Sequence, residues 1–156
     1  MFIVTSGLLC ISAWSQVSST TEFLGYDLGT KFTRHHRVVD YMNHVANETP
    51  HFKLHEYGRT SEDRPLLALV MSSVSNMEGL DQIIADNTRR VSEGIDGGAR
   101  IPIVYLSYNV HGNEAVCTEA AMKTIEALVN EHSDLLNDVV VIIDPYVNPN
   151  GRDRYV

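Results

Sequence analysis

Apolar residues recur along this chain with two different periods, and the changes of period mark its elements. Val38, Val39, Tyr41, Met42 and Val45 fall at helical spacing between Thr33 and Pro50, which predicts a helix there. Phe52 to Tyr57 and Leu66 to Met71 read as two strands, and the polar, Gly- and Pro-containing stretch Gly58 to Pro65 joins them as a hairpin. A helix is predicted over Met77 to Ser92, closed by the loop Gly94 to Gly98. Ile101 to Val110 is a short apolar run carried by Ile103, Val104, Leu106 and Val110, as expected of a strand buried within a sheet. From Glu114 the period turns helical again through Ala115, Ala121, Met122, Ile125, Leu128 and Val129, ending near Glu131 to Ser133. Asp138 to Asp144 then supplies another buried strand. This order predicts an α/β fold: a mixed β-sheet with helices on both faces. No internal repeat interrupts it.

The start of the chain follows neither period. Phe2 to Trp14 is uncharged and largely apolar, too short to span a bilayer, and Ala13-Trp14-Ser15 before Gln16 matches a small-x-small cleavage site. Residues 1–15 therefore read as a secretory signal peptide, which implies an exported protein, periplasmic or extracellular, without stable membrane insertion. Residues 16–32, Ser/Thr-rich and then punctuated by glycine, read as a linker or arm, and 33–156 as the domain. Removing the leader removes Cys10 and leaves Cys117 alone, so no internal disulfide is available.

Composition narrows the partners. Hydrophobic residues make up 44% of the chain, enough for one core, while the formal net charge of −8 has the wrong sign for phosphate neutralisation. Nucleic acid is excluded as a partner on that ground, and no Lys/Arg stripe opposes the conclusion.

The candidate chemistry sits where the strand Ile101–Val110 gives way to helix. His111 lies just past the strand's carboxyl end and Glu114 in the first helical turn, at the crevice where open α/β sheets bind ligands. An imidazole and a carboxylate three positions apart can converge on one small cation, with Gly112 allowing a tight turn between them. Zinc suits such ligands. After the next strand, Asn148-Pro149-Asn150-Gly151 announces a turn.

Together, strand-His111-Gly-Asn-Glu114-helix and the later Asn148-Pro-Asn-Gly151 resemble the amino-terminal half of the catalytic domain of the zinc carboxypeptidase family of metallopeptidases, over about Thr33 to Val156. The resemblance implies that His111 and Glu114 are the first two ligands of Zn2+, and that Asn148 to Gly151 corresponds to the family's Asn-Pro-Asp-Gly turn beside the substrate cleft. Asn150 stands where the family has Asp; Asn can make the same bonds within the turn. It further implies a peptide or protein substrate, and it places the third ligand, a His, the catalytic Glu that serves as general base, a substrate-binding Tyr and the arginines of the cleft after this turn. On that reading Val156 is not a natural end and the chain is an inactive fragment, its catalytic residues unassigned. A related zinc-dependent amino-acid deacylase and a non-catalytic peptidase-like binding module remain alternatives. Oligomeric state is not specified.

Other residues carry less. Arg152 and Arg154 are candidate clamps for a substrate carboxylate. His35 and His36 read as a solvated face, His44, His51, His55 and His132 lack a partner pattern, and Cys117 reads as a small helix residue packed on the sheet.

Overall fold

The computed structural model describes residues 17–94 and 100–156, so the expected signal peptide and nearly all of the Gly94–Gly98 loop lie outside the described residues. Along the chain run α1 (Thr20–Leu24), α2 (His35–Glu48), β1 (Lys53–Arg59), β2 (Pro65–Met71), α3 (Val74–Glu78), α4 (Leu80–Glu93), β3 (Ile103–Ser107), α5 (Cys117–Asn130), a 3-10 turn (Ser133–Asn137), β4 (Val140–Asp144) and α6 (Pro149–Tyr155). The sheet has the order β1-β2-β4-β3. β1 and β4 pair antiparallel with β2, and β3 pairs parallel with β4, which makes the sheet mixed, as expected.

Pairing sends alternate side chains to opposite faces. Leu69 opposite Ile143 and Met71 opposite Val141 face a large core closed by Val38, Met42 and Val45 of α2 and by Met122 and Ile125 of α5. Val70 and Val140 face the other way, under Met77, Leu80 and Ile83 of α3 and α4. Each fully buried aliphatic side chain contributes roughly 1.5–3 kcal/mol. Helices thus cover both faces, but very unequally.

Four local expectations change. The helix predicted over Met77–Ser92 is two helices, because Gly79 ends α3 and starts α4. The segment read as a linker or arm contains α1, whose Ser19 forms a reciprocal capping box with Glu22, and it docks Val17 and Leu24 into the large core. Among the described residues β3 stands at the edge of the sheet beside β4, with Val104 40% and Tyr105 56% exposed. His35 is buried, not solvated: its Nε2 lies 3.1 Å from the Pro65 carbonyl and its ring packs edge-on against Tyr146. Among the described residues no helix is long and apolar enough to cross a membrane.

Candidate metal centre

Parallel pairing of β3 with β4 continues past both strands and brings the two sequence motifs together. The Tyr108 N–H donates to the Asp144 carbonyl (2.9 Å), Val147 to Tyr108 (3.1 Å) and Asn148 to Asn109 (3.1 Å). Asn109 then turns with a left-handed φ of 55°, and its buried side-chain amide donates to the His111 carbonyl at 2.8 Å. Asn tolerates that conformation better than most residues, so the position suits the sequence.

Glu114 does not lie in the helix. It sits in a turn three residues before α5, where its own N–H donates to the His111 carbonyl (3.1 Å) and its carbonyl accepts from Cys117 (3.1 Å). The carboxylate folds back: Oε2 accepts the His111 backbone N–H at 3.0 Å, and Oε1 lies 2.9 Å from His111 Nδ1. The backbone hydrogen bond first, and then the ring, hold the Glu114 carboxyl below the usual carboxylate range. Both side chains are open to solvent, 74% for His111 and 39% for Glu114.

The role of Gly112 differs from the expected tight turn. A Cβ there would stand 2.2 Å from the Gly151 carbonyl carbon, 2.3 Å from its oxygen and 2.8 Å from the Arg152 nitrogen. The residue is glycine because two backbones touch at this point. Opposite it, the expected Asn148–Gly151 turn is the start of α6. Asn148 is the N-cap and accepts from the Gly151 N–H at 2.9 Å, while Pro149 occupies the first helical position, where a missing N–H is harmless. Gly151 leaves room for the Asn148 side chain, since a Cβ on it would come within 2.7 Å of the Asn148 amide. Asn150 bonds outside the motif: its Oδ1 accepts from Thr60 Oγ1 at 3.0 Å and Arg64 Nη1 at 2.7 Å, fastening α6 to the β1–β2 loop.

Sequence reasoning missed two interior polar clusters. Glu119 of α5 accepts from Arg152 Nη2 at 3.1 and 3.0 Å and from the Thr33 N–H at 2.7 Å. Arg152, read as a clamp for a substrate carboxylate, has no exposed surface, so Glu119 takes the place of any external anion. Arg154 is at the surface, in an ion pair with Glu62. At the end of β4 the buried Asp144 carboxylate accepts from Tyr57 Oη (2.5 Å), Tyr105 Oη (3.1 Å) and the Tyr146 N–H (3.0 Å). Burial, then the bond to Asp144, raises the Tyr57 phenol well above its ordinary range, and burial pushes Tyr146 up to about 12. None of these long-range pairs has a spacing signal: Glu119 sits at a helical position that reads as ordinary surface, and Asp144 closes an apolar strand.

The pair His111–Glu114 passes a simple test of fit for a metal. Two ligand atoms at about 2.0–2.2 Å on a tetrahedral zinc stand roughly 3.3–3.6 Å apart. In the metal-free pair a proton on Nδ1 bridges the 2.9 Å gap; with that proton given up, both atoms would offer lone pairs to one point, and a small parting of two exposed side chains would admit the ion. Among the described residues no group of three or more His, Cys, Asp or Glu is gathered for a metal. A hollow of about 630 Å³ lies between residues 27–32 and α5; Val116 and Phe32 line it, and neither His111 nor Glu114 does.

Residues 38–155 match the zinc carboxypeptidase family, and the chain belongs to it. Its fold is similar to that of carboxypeptidase A from Helicoverpa armigera, with 27% identity, 80% of this chain covered and a TM-score of 0.61. It is also similar to thrombin activatable fibrinolysis inhibitor, at 14% identity over 91% of this chain with a TM-score of 0.61. The bovine form of that protein, solved in complex with tick carboxypeptidase inhibitor, gives 14% identity over 79% and a TM-score of 0.56. The chain spans only 28%, 30% and 33% of those structures' lengths. No curated protein matches it.

Proposed function

We propose that this chain is the amino-terminal, metal-binding part of a zinc-dependent carboxypeptidase that hydrolyses peptide bonds, with His111 and Glu114 as two of its zinc ligands. The observation that carries the reading is the 2.9 Å approach of His111 Nδ1 to Glu114 Oε1 in a loop held open to solvent at the carboxyl end of β3. Zinc bound in such a set with an open position polarises a carbonyl and lowers the pKa of water. The residues of this chain hold and orient. His111 Nδ1 must be unprotonated to ligate, so its proton belongs on Nε2. Glu114, whose carboxyl the His111 N–H holds below the usual range, would serve as a ligand and not as a base. Asn109 fixes the loop through the His111 carbonyl. The third ligand, the general base and the residues that select a substrate's terminus are assigned to sequence beyond the described residues, and a peptide or protein is the partner.

The test is zinc content of the full-length protein after dialysis, by elemental analysis, with peptide hydrolysis assayed in parallel. His111→Ala and Glu114→Ala should each abolish most bound zinc and most turnover, and Asn113→Ala should do much less. Wild-type zinc in Glu114→Ala protein would remove the ligand assignment. The 156 residues by themselves should show no zinc-dependent, chelator-sensitive hydrolysis of a blocked dipeptide, since general acid–base assistance worth about 10²–10⁴-fold is absent. Export is part of the same reading: amino-terminal sequencing of secreted material should begin at Gln16, and an intact Met1 on a cytosolic product would overturn it.

A further inference from the structure

The ion pair between Glu119 and Arg152 ties together the two backbone segments that flank the His111–Glu114 loop. Glu119 is on the first turn of α5, five positions after Glu114. Arg152 follows Gly151, and the Gly151–Arg152 peptide is the surface on which Gly112, between His111 and Glu114, rests. The guanidinium has no exposed surface, stacks 5.0 Å from the Phe32 ring centre and places Nη2 against both Glu119 oxygens at 3.0 and 3.1 Å. The Thr33 N–H, 2.7 Å from Glu119 Oε1, completes the enclosure. Stability alone is a poor reason for such a pair, because replacing a buried ion pair with apolar side chains of similar volume is often neutral or stabilising. What the pair supplies is a fixed separation between two backbone segments.

We propose that Glu119 and Arg152 are positioning residues for the metal centre, pinning the start of α5 to the Gly151–Arg152 peptide so that the loop between them keeps the His111 ring and the Glu114 carboxylate aimed at one point. The inference rests on the zinc reading above and extends it to residues that touch neither metal nor substrate. Partners that orient ligands typically change metal affinity about 10–100-fold when removed.

The experiment compares the full-length wild-type protein, His111→Ala and the double variant Glu119→Leu/Arg152→Met, which keeps volume and leaves no buried charge unpaired. Zinc affinity is measured by competition with a chromophoric chelator, ligand geometry by the visible absorption of the cobalt-substituted protein, and folding by thermal denaturation. The double variant should fold, melting several degrees below the wild type because the Thr33 N–H loses its acceptor, bind zinc about 10–100-fold more weakly and give a changed cobalt spectrum. Wild-type affinity and spectrum in the double variant, with metal lost in His111→Ala, would overturn the positioning role and leave the zinc reading intact. Undiminished zinc in His111→Ala would overturn the zinc reading and the positioning role with it. Should the double variant not fold, Arg152→Lys keeps the charge and loses the planar guanidinium. Weaker zinc binding there supports the role; wild-type affinity and spectrum refute it.

Discussion

The two segments that leave β3 and β4 run side by side and touch at Gly112 and Gly151, yet they treat their polar side chains in opposite ways. After β3, His111 and Glu114 have only each other and solvent, with 74% and 39% of their side chains exposed. At the end of β4 and beyond it, Asp144 and Arg152 are enclosed, 1% and 0% exposed, and each has two or more protein atoms within hydrogen-bond reach. A buried charge must find its partners inside the fold, so Asp144 and the Nη2 of Arg152 are committed to structure, while Arg152 Nε and Nη1 have no hydrogen-bond partner among the described residues. An exposed convergent pair has lone pairs left over. The difference separates residues that hold the fold from residues with the capacity to hold a ligand, although both kinds are Asp, Glu, His or Arg.

The sharpest way to break this comparison is to remove one partner from the enclosed side. Arg152→Met alone should destabilise the protein by about 3–5 kcal/mol, because it leaves the Glu119 carboxylate buried without its cation. Urea denaturation followed by circular dichroism measures it; a loss below about 1 kcal/mol would mean that water reaches Glu119. Next in size is the contact between the two segments. Gly112→Ala drives a methyl into the Gly151 peptide at 2.2 Å, and should cost about 1–3 kcal/mol and disturb the metal pair together with the fold. Asn148→Ala removes the cap on Gly151 and should cost about 1 kcal/mol.

A pH titration sharpens the same contrast at His35. Burial is the main cause that holds its pKa below the ordinary 6.5. As pH falls through about 6.5 the unfolded chain takes up a proton there while the folded chain does not, so stability declines until the pH passes the lowered folded value. Above about pH 7 both forms are neutral and the effect vanishes. His35→Gln should flatten the fall in stability below about pH 6.5, leaving the part due to His51, which burial also holds low. The smallest stability effect belongs to the exposed side: His111→Ala should change the denaturation free energy of the metal-free protein by no more than about 0.5 kcal/mol. A loss of several times that would place His111 among the structural residues.

Much of this was legible in the sequence because it is local. The helical spacing from Val38 to Val45 and from Ala121 to Val129 became α2 and α5, and the apolar runs around the Gly58–Pro65 loop became the β1–β2 hairpin. The meeting of His111 with Glu114 was legible for the same reason, as they are three positions apart and meet within one turn. Gly79 and the capping box at Ser19 were readable punctuation whose consequence, a broken helix and a docked arm, went unread. β3 was read as buried because its apolar run matches that of β4, and among the described residues only the strand order sets one at the edge and the other inside.

The sequence by itself determined the periods, the points where they change and the short-range motifs, since these depend on backbone propensity and on neighbours within a few residues. Only the tertiary structure decided that the His111 and Asn148 motifs abut, that Gly112 and Gly151 are glycines for the sake of contact and volume, and that Arg152 faces Glu119 and not solvent. Those outcomes follow from the parallel register of β3 with β4, which aligns residues far apart in sequence through backbone hydrogen bonds that carry no residue-specific code. Burial then sorts identical chemical groups into those enclosed by protein partners and those left open to solvent.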